Sequence, residues 1–169
     1  METITLNLYS IDELSDDARE RAIEHYRRYV TPDTIPWADE YRDSLTAFCE
    51  EFSIELDRDG DYRRSSMDEN VLNLSGKRLR TYLVNNYSAI LDECCPFTGF
   101  CGDDDVLQRM REFVQRPNLR MDFAELLSEC VFSFQRTYNY IVDYHYSDEG
   151  IAEELRINEC QFTEDGKLY

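Results

Sequence analysis

Apolar residues recur along this chain with two different periods, and the changes of period mark out its elements. In "ETITLNLYS" the apolar Ile4, Leu6 and Leu8 alternate with Thr3, Thr5 and Asn7, the period of two expected of a half-buried strand. Ser10 and Glu13 follow at the spacing of a capping box, so "SIDEL" reads as a short helical turn. Ser15 then caps a helix whose first turn carries Asp16 and Asp17, where acids suit the helix dipole, and whose stripe is Ala18, Ala22, Ile23, Tyr26 and Val30. His25 falls just off that stripe, at the rim. "TPDTIP" interrupts the pattern, and a second helix begins near Trp37 with Trp37, Tyr41, Leu45, Phe48, Cys49 and Phe52 on one face.

"SIELDRDGDYR" reads as a strand entering an Asp-Gly turn, and "RRSSMDENVLNL" is the least regular part of the chain. Ser75 caps a third helix with Leu79, Leu83, Tyr87, Ile90 and Leu91, closed by Pro96. "GDDD" opens a fourth, carrying Leu107, Met110, Phe113 and Val114. A long helix from about Asp122 aligns Phe123, Leu126, Leu127, Cys130, Val131, Phe134, Tyr138 and Val142. Ser147 caps a last short helix, and "NECQFTEDGKLY" reads as a terminal hairpin. The expected fold class is α+β: one helix-rich domain over residues 1–169, with a small antiparallel sheet formed by the N-terminal strand and the C-terminal hairpin.

Composition supports a folded chain. Of 169 residues 42% are hydrophobic and 13% aromatic, more than a disordered acidic chain carries. No apolar run reaches membrane-spanning length and no leader is evident, so the expected compartment is the cytoplasm and free thiols are the default for the six cysteines. "CCPFTGFC" places Cys94, Cys95 and Cys101 close in sequence. Two readings stand for it, three thiolates toward zinc or a buried turn punctuated by proline. A fourth ligand is lacking, because His25 and His145 are both distant in sequence, and the turn is preferred. "DRDGD" has its glycine too early for a calcium loop and lacks the closing glutamate. The three aspartates of "GDDD" suit a helix N-terminus, a more economical reading than a metal cluster. No cofactor is expected.

Charge changes the picture most. The formal net charge is −18, from 36 acids against 18 bases. Such a field repels nucleic acid and anionic membrane and speeds encounter with a basic protein. Residues 33–61 carry ten acids and two arginines, and residues 122–169 carry eleven acids and three bases, so the field is patchy. The candidate partner-binding residues are Asp148, Glu149, Glu153 and Glu154 in the second stretch, and Glu50, Glu51, Glu55 and Asp57 in the first. Carboxylates on a rigid scaffold imitate the phosphate track of a nucleic acid and can fill a lysine- and arginine-lined groove. Enzyme templates fail: the chain has no phosphate-cradling glycine loop, nucleophile elbow or zinc-protease helix. It is read as a non-enzyme.

"LNLYSIDELSDDARERAIEHYR", "CCPFTGF" with the acids after it, and "YSDEGIAEELRINECQFTEDGKLY" together resemble a group of phage- and prophage-encoded proteins of about this length, sometimes labelled antitoxin-like. Many members carry a Gly-Asp-Gly-rich segment after the second helix, where this chain has only "DRDGDYR". The resemblance implies a phage-encoded inhibitor of host defence, of the anti-CRISPR kind, whose basic partner is a CRISPR effector nuclease. It equally accommodates an antitoxin-like protein that neutralises a basic toxin. It implies no catalytic residue.

Overall fold

The structure, a computed structural model, describes residues 6–56, 62–63, 73–92 and 95–169. The chain is mostly helical, at 64%. Among the described residues the α-helices are α1 (Asp16–Arg27), α2 (Ala38–Glu51), α3 (Gly76–Asn85), α4 (Gly102–Gln115), α5 (Phe123–Tyr146) and α6 (Asp148–Ile157), with a 3₁₀ turn at Pro32–Thr34 and a π-helical segment at Ser88–Asp92. The described residues fall into two compact units, one of residues 1–36 with 140–169 and one of residues 37–139.

This corrects the expected fold class. The chain is not an α+β domain with a sheet joining its two ends. The pairing foreseen there is reduced to two isolated bridges, Tyr9 with Phe162 and Phe162 with Leu168. The only ladder among the described residues is two residues long, Glu55–Leu56 against Tyr62–Arg63. The alternation at the N-terminus does not put its side chains inward either: Leu6 is exposed and Leu8 only half-buried, while Ile4 lies outside the described residues. Burial at this end belongs to Ile11 and Phe162, which are 1% and 2% exposed. A period of two over so few residues describes an extended chain, and an extended chain becomes a sheet only if a partner strand of equal length lies beside it.

In the first unit α1 packs on α6. Ala22 and Ile23 from the stripe read in the sequence meet Ile151, Ala152 and Leu155 of α6, with Ile11 and Phe162 completing the core. Ser15 caps α1, its Oγ accepting from the Ala18 amide at 3.4 Å, and Ser147 caps α6, accepting from the Gly150 amide at 3.0 Å. The terminal turn is tight: the Thr163 amide donates to the Lys167 carbonyl and the Gly166 amide to the Thr163 carbonyl. Gly166 stands at φ 83, and a Cβ there would lie 2.2 Å from the Ala18 carbonyl oxygen, so only glycine fits.

In the second unit α2 packs on α4, and α3 joins α4. Phe48, Leu79, Leu83, Met110, Phe123 and Leu127 centre its core. Asp122 starts α5 with a reciprocal cap: its Oδ1 accepts from the Glu125 amide at 2.8 Å and its own amide donates to Glu125 Oε2 at 3.0 Å. The third helix is shorter than its apolar pattern implies. Its α-helical part ends at Asn85, and the π-helical segment that follows buries Ile90 while leaving Tyr87 exposed, because a wider turn rotates the stripe off the α-helical period.

Candidate protein-binding surface

Helix α2 owes its burial to Ala38, Ser44, Phe48 and Cys49. The opposite side carries Asp39, Glu40, Asp43, Glu50 and Glu51, all exposed. Asp39 and Glu40 lie in the first turn, where the macrodipole favours acids. Glu50 and Glu51 lie at the other end. The last turn of α2 holds no base, so two carboxylates meet the negative end of the dipole, a placement that costs about 0.3–1 kcal/mol each. The one base on the helix, Arg42, pairs with Asp39.

The end of α2 closes without glycine. Ser53 takes φ 50, its amide donates to the Glu50 carbonyl at 3.3 Å, and the Ile54 amide donates to the Cys49 carbonyl at 2.8 Å while Ile54 is buried. That is a Schellman motif with serine in the left-handed position. It ends the helix directly beyond Glu51 and holds both carboxylates at the surface. Glu55 is exposed in the short ladder that follows, and Asp57 lies outside the described residues.

The acids of α6 stand differently. Asp148 pairs with Arg27, which also bonds Glu24 at 3.0 Å and donates from Nε to the Tyr146 carbonyl at 3.3 Å. Glu153 accepts from the Tyr144 hydroxyl, and Glu154 Oε1 accepts from Asn158 Nδ2 at 3.2 Å. Arg156 grips Asp12 with two bonds of 2.7 Å, which holds the Asp12 carboxyl below its usual range. Asp148, Glu149 and Glu153 line an open groove of about 1650 Å³ whose walls also carry Arg19, Arg21, Arg27, Arg28, Arg156 and Lys167. With Asp16, Glu20, Glu24 and Asp165 also on its walls, the groove sets six bases against seven acids, close to balance. Of the four acids of α6, Asp148 is thus paired with an arginine of the same unit, and Glu153 and Glu154 are bonded by Tyr144 and Asn158. The two candidate clusters belong to different units, α6 to the first and α2 to the second.

Two features escape the hydrophobic pattern. Trp37, expected on the apolar face of the second helix, is instead its N-cap, at φ 65 and 64% exposed. Its ring stacks on Phe100 with centroids 6.4 Å apart and 23° between planes, and Phe100 meets Tyr41 edge-on at 5.0 Å. Asp103, expected to serve the dipole at the start of α4, does lie in its first turn but is fully buried. Its Oδ2 accepts from the amides of Phe97 and Thr98 at 2.9 and 2.8 Å, and its Oδ1 from the Thr98 hydroxyl at 2.8 Å. Burial acts to raise its pKa, but the bonds from Thr98, Ser44 and Phe97 outweigh it and hold the carboxyl below its ordinary value. "PFTGF" is therefore a loop pinned by a carboxylate, and the pinned loop carries Phe100 to Trp37. An aspartate a few residues after a Thr-Gly turn was the available signal.

Cys49, Cys101, Cys130 and Cys160 are free thiols, and Cys94 lies outside the described residues. Burial pushes Cys49 up to about 11 and raises Cys130 further, so neither supplies thiolate near neutral pH. Among the described residues no group of three His, Cys, Asp or Glu side chains is placed to hold a metal ion. Among them, too, no helix is long and apolar enough to cross a membrane. No protein-family model matches the chain, and neither a curated protein nor a solved structure is found to match it.

Proposed function

We propose that this protein is a phage-encoded, stoichiometric inhibitor of host defence that works by binding and not by catalysis. It occupies a basic, nucleic-acid-binding surface of its target in the host cytoplasm, and the target class is a CRISPR effector. The observation that carries this reading is the placement of Glu50 and Glu51 at the last turn of α2, where the fold gains nothing from them. Together with Asp39, Glu40 and Asp43 they put five carboxylates over about 18 Å of helix. One strand of DNA carries a phosphate every 3.4 Å or so, hence about five over the same length. One of the five is offset by Arg42. The resemblance to phage proteins supplies the defence context, and the same surface would serve an antitoxin against a basic toxin.

Charge reversal separates α2 from α6. Asp39, Asp43, Glu50 and Glu51 changed to Lys should abolish DNA-competitive binding to the effector, and binding by the unaltered protein should weaken steeply between 0.05 and 0.5 M salt as exposed charges are screened within about 10 Å at 0.1 M. The melting temperature should change little, because surface changes move stability by only about ±0.5 kcal/mol each, and lysine at Glu50 and Glu51 suits the end of the helix while at Asp39 it opposes the dipole and loses the pair with Arg42. Affinity purification of the tagged protein identifies the partner, and a toxin in place of an effector selects the second reading. Full, salt-independent binding after reversal of α2 would defeat both.

A further inference from the structure

We infer that Trp37 is the anchor of this surface and takes an arginine or lysine side chain of the basic partner on the open face of its indole ring. The inference rests on α2 being the docking surface. A tryptophan 64% exposed is an unusual use of the chain's single copy of that residue, since its area is worth most when buried. It is also held at φ 65, a left-handed backbone that disfavours any side chain with a Cβ. Strain of this kind persists where surrounding structure imposes it, and it gathers at ligand clamps.

Among the described residues the aromatic neighbour of this ring is Phe100, and much of the rest is open to solvent. Phe100 stacks on it, and Tyr41, set edge-on to Phe100, is in turn packed against Phe134 and Tyr138 at 6.2 and 6.3 Å. An aromatic column with a rigid base presents its outer face without needing to reorganise, and preorganised aromatic residues dominate binding energy at interfaces. Charge selects the occupant. Asp39 and Glu40 follow Trp37 in the first turn of α2, both exposed. A π face at the start of this acidic turn, where Glu40 stands beside the Asp39–Arg42 pair, suits a guanidinium or ammonium group, which meets the ring quadrupole and the negative charge together. It repels a nucleic-acid base carried on phosphate.

Because Trp37 is the single tryptophan, its emission reports this site directly. The probe is a synthetic eight-residue peptide alternating arginine and glycine, with a citrulline–glycine peptide as the uncharged isostere. At low salt the arginine peptide should change Trp37 emission saturably and the citrulline peptide should not. Trp37→Ala should weaken binding of a fluorescein-labelled arginine peptide about tenfold, between the exposed and the desolvated values of a cation–π contact. Trp37→Phe should fall between. Trp37→Gly, which suits the left-handed backbone, should melt at a higher temperature than the wild type and still bind as weakly as the alanine variant. If the arginine peptide binds with unchanged emission and with no loss in the Ala and Gly variants, the anchor is refuted while the acidic surface survives. If it fails to bind the wild-type protein at low salt, the reading of α2 falls together with the anchor.

Discussion

Replacing Asp103 with alanine should destabilise the unit of residues 37–139 by about 3 kcal/mol, measured by urea denaturation at pH 7. The carboxylate is fully buried and satisfies the amides of Phe97 and Thr98 and the Thr98 hydroxyl. Alanine would leave those donors without an acceptor, at about 1–3 kcal/mol for each that stays buried, less what the loop recovers by opening to water. The opening itself is measurable, because Phe100 lies in that loop and Trp37 stacks on it, so tryptophan emission should shift toward that of a solvated indole.

The same residue carries a pH signature. Its folded pKa is lower than that of an unfolded aspartate, which is about 3.9. The stabilisation is therefore complete above that unfolded value and is lost as pH falls through the folded one. Asp103→Asn keeps the shape and removes the titration. The stability gap between wild type and Asp103→Asn should be constant from pH 7 to about pH 5 and narrow below pH 4. A gap that stayed constant down to pH 2 would mean that ionisation of Asp103 does not stabilise the loop.

Phe162→Ala should cost the first unit more, about 3–5 kcal/mol, the usual range for deleting a buried phenylalanine ring. Phe162 is 2% exposed among Ile11, Ala22, Ile151 and Leu155, and its backbone exchanges two hydrogen bonds with Tyr9, at 2.8 and 2.9 Å. Loss of the ring should also release those amides, read as faster hydrogen exchange at Tyr9 and Phe162. Leu168→Ala, six residues on and half exposed, is the control and should cost under about 1 kcal/mol. Equal effects of the two substitutions would mean that the C-terminal turn is only draped over the unit and does not close it.

Helix faces were legible wherever apolar residues kept the α-helical period. Ala18, Ala22 and Ile23 of the α1 stripe and the run from Phe123 to Phe134 in α5 are buried as the pattern required, while Tyr26 and Val30 are half-buried, because a helix presents the same face every three or four residues whatever it packs against. Ser15, Ser147 and Asp122 were readable as starts for an equally local reason: a cap is a bond across three residues. Helix ends were less legible. Ser53 and Glu159 both take left-handed backbones where glycine is the usual sign; the strand expected after α2 is present but only two residues long, Glu55–Leu56, and the hairpin expected after α6 is reduced to isolated bridges. The turn at Gly166 was visible, but the sheet it was to belong to was not there.

For the candidate surface, the sequence by itself determined how many carboxylates there are and which helical turns carry them. Only the tertiary structure decided which of them are already answered. Asp148, Glu149 and Glu153 of α6 share a groove with six bases drawn from residues 19–28, 156 and 167, and no spacing rule along the chain brings Asp148 to Arg27 or Asp12 to Arg156. The physical reason is range. Hydrophobic period, capping and the helix dipole act within a turn or two, whereas an ion pair acts between side chains that meet only after the chain has closed on itself.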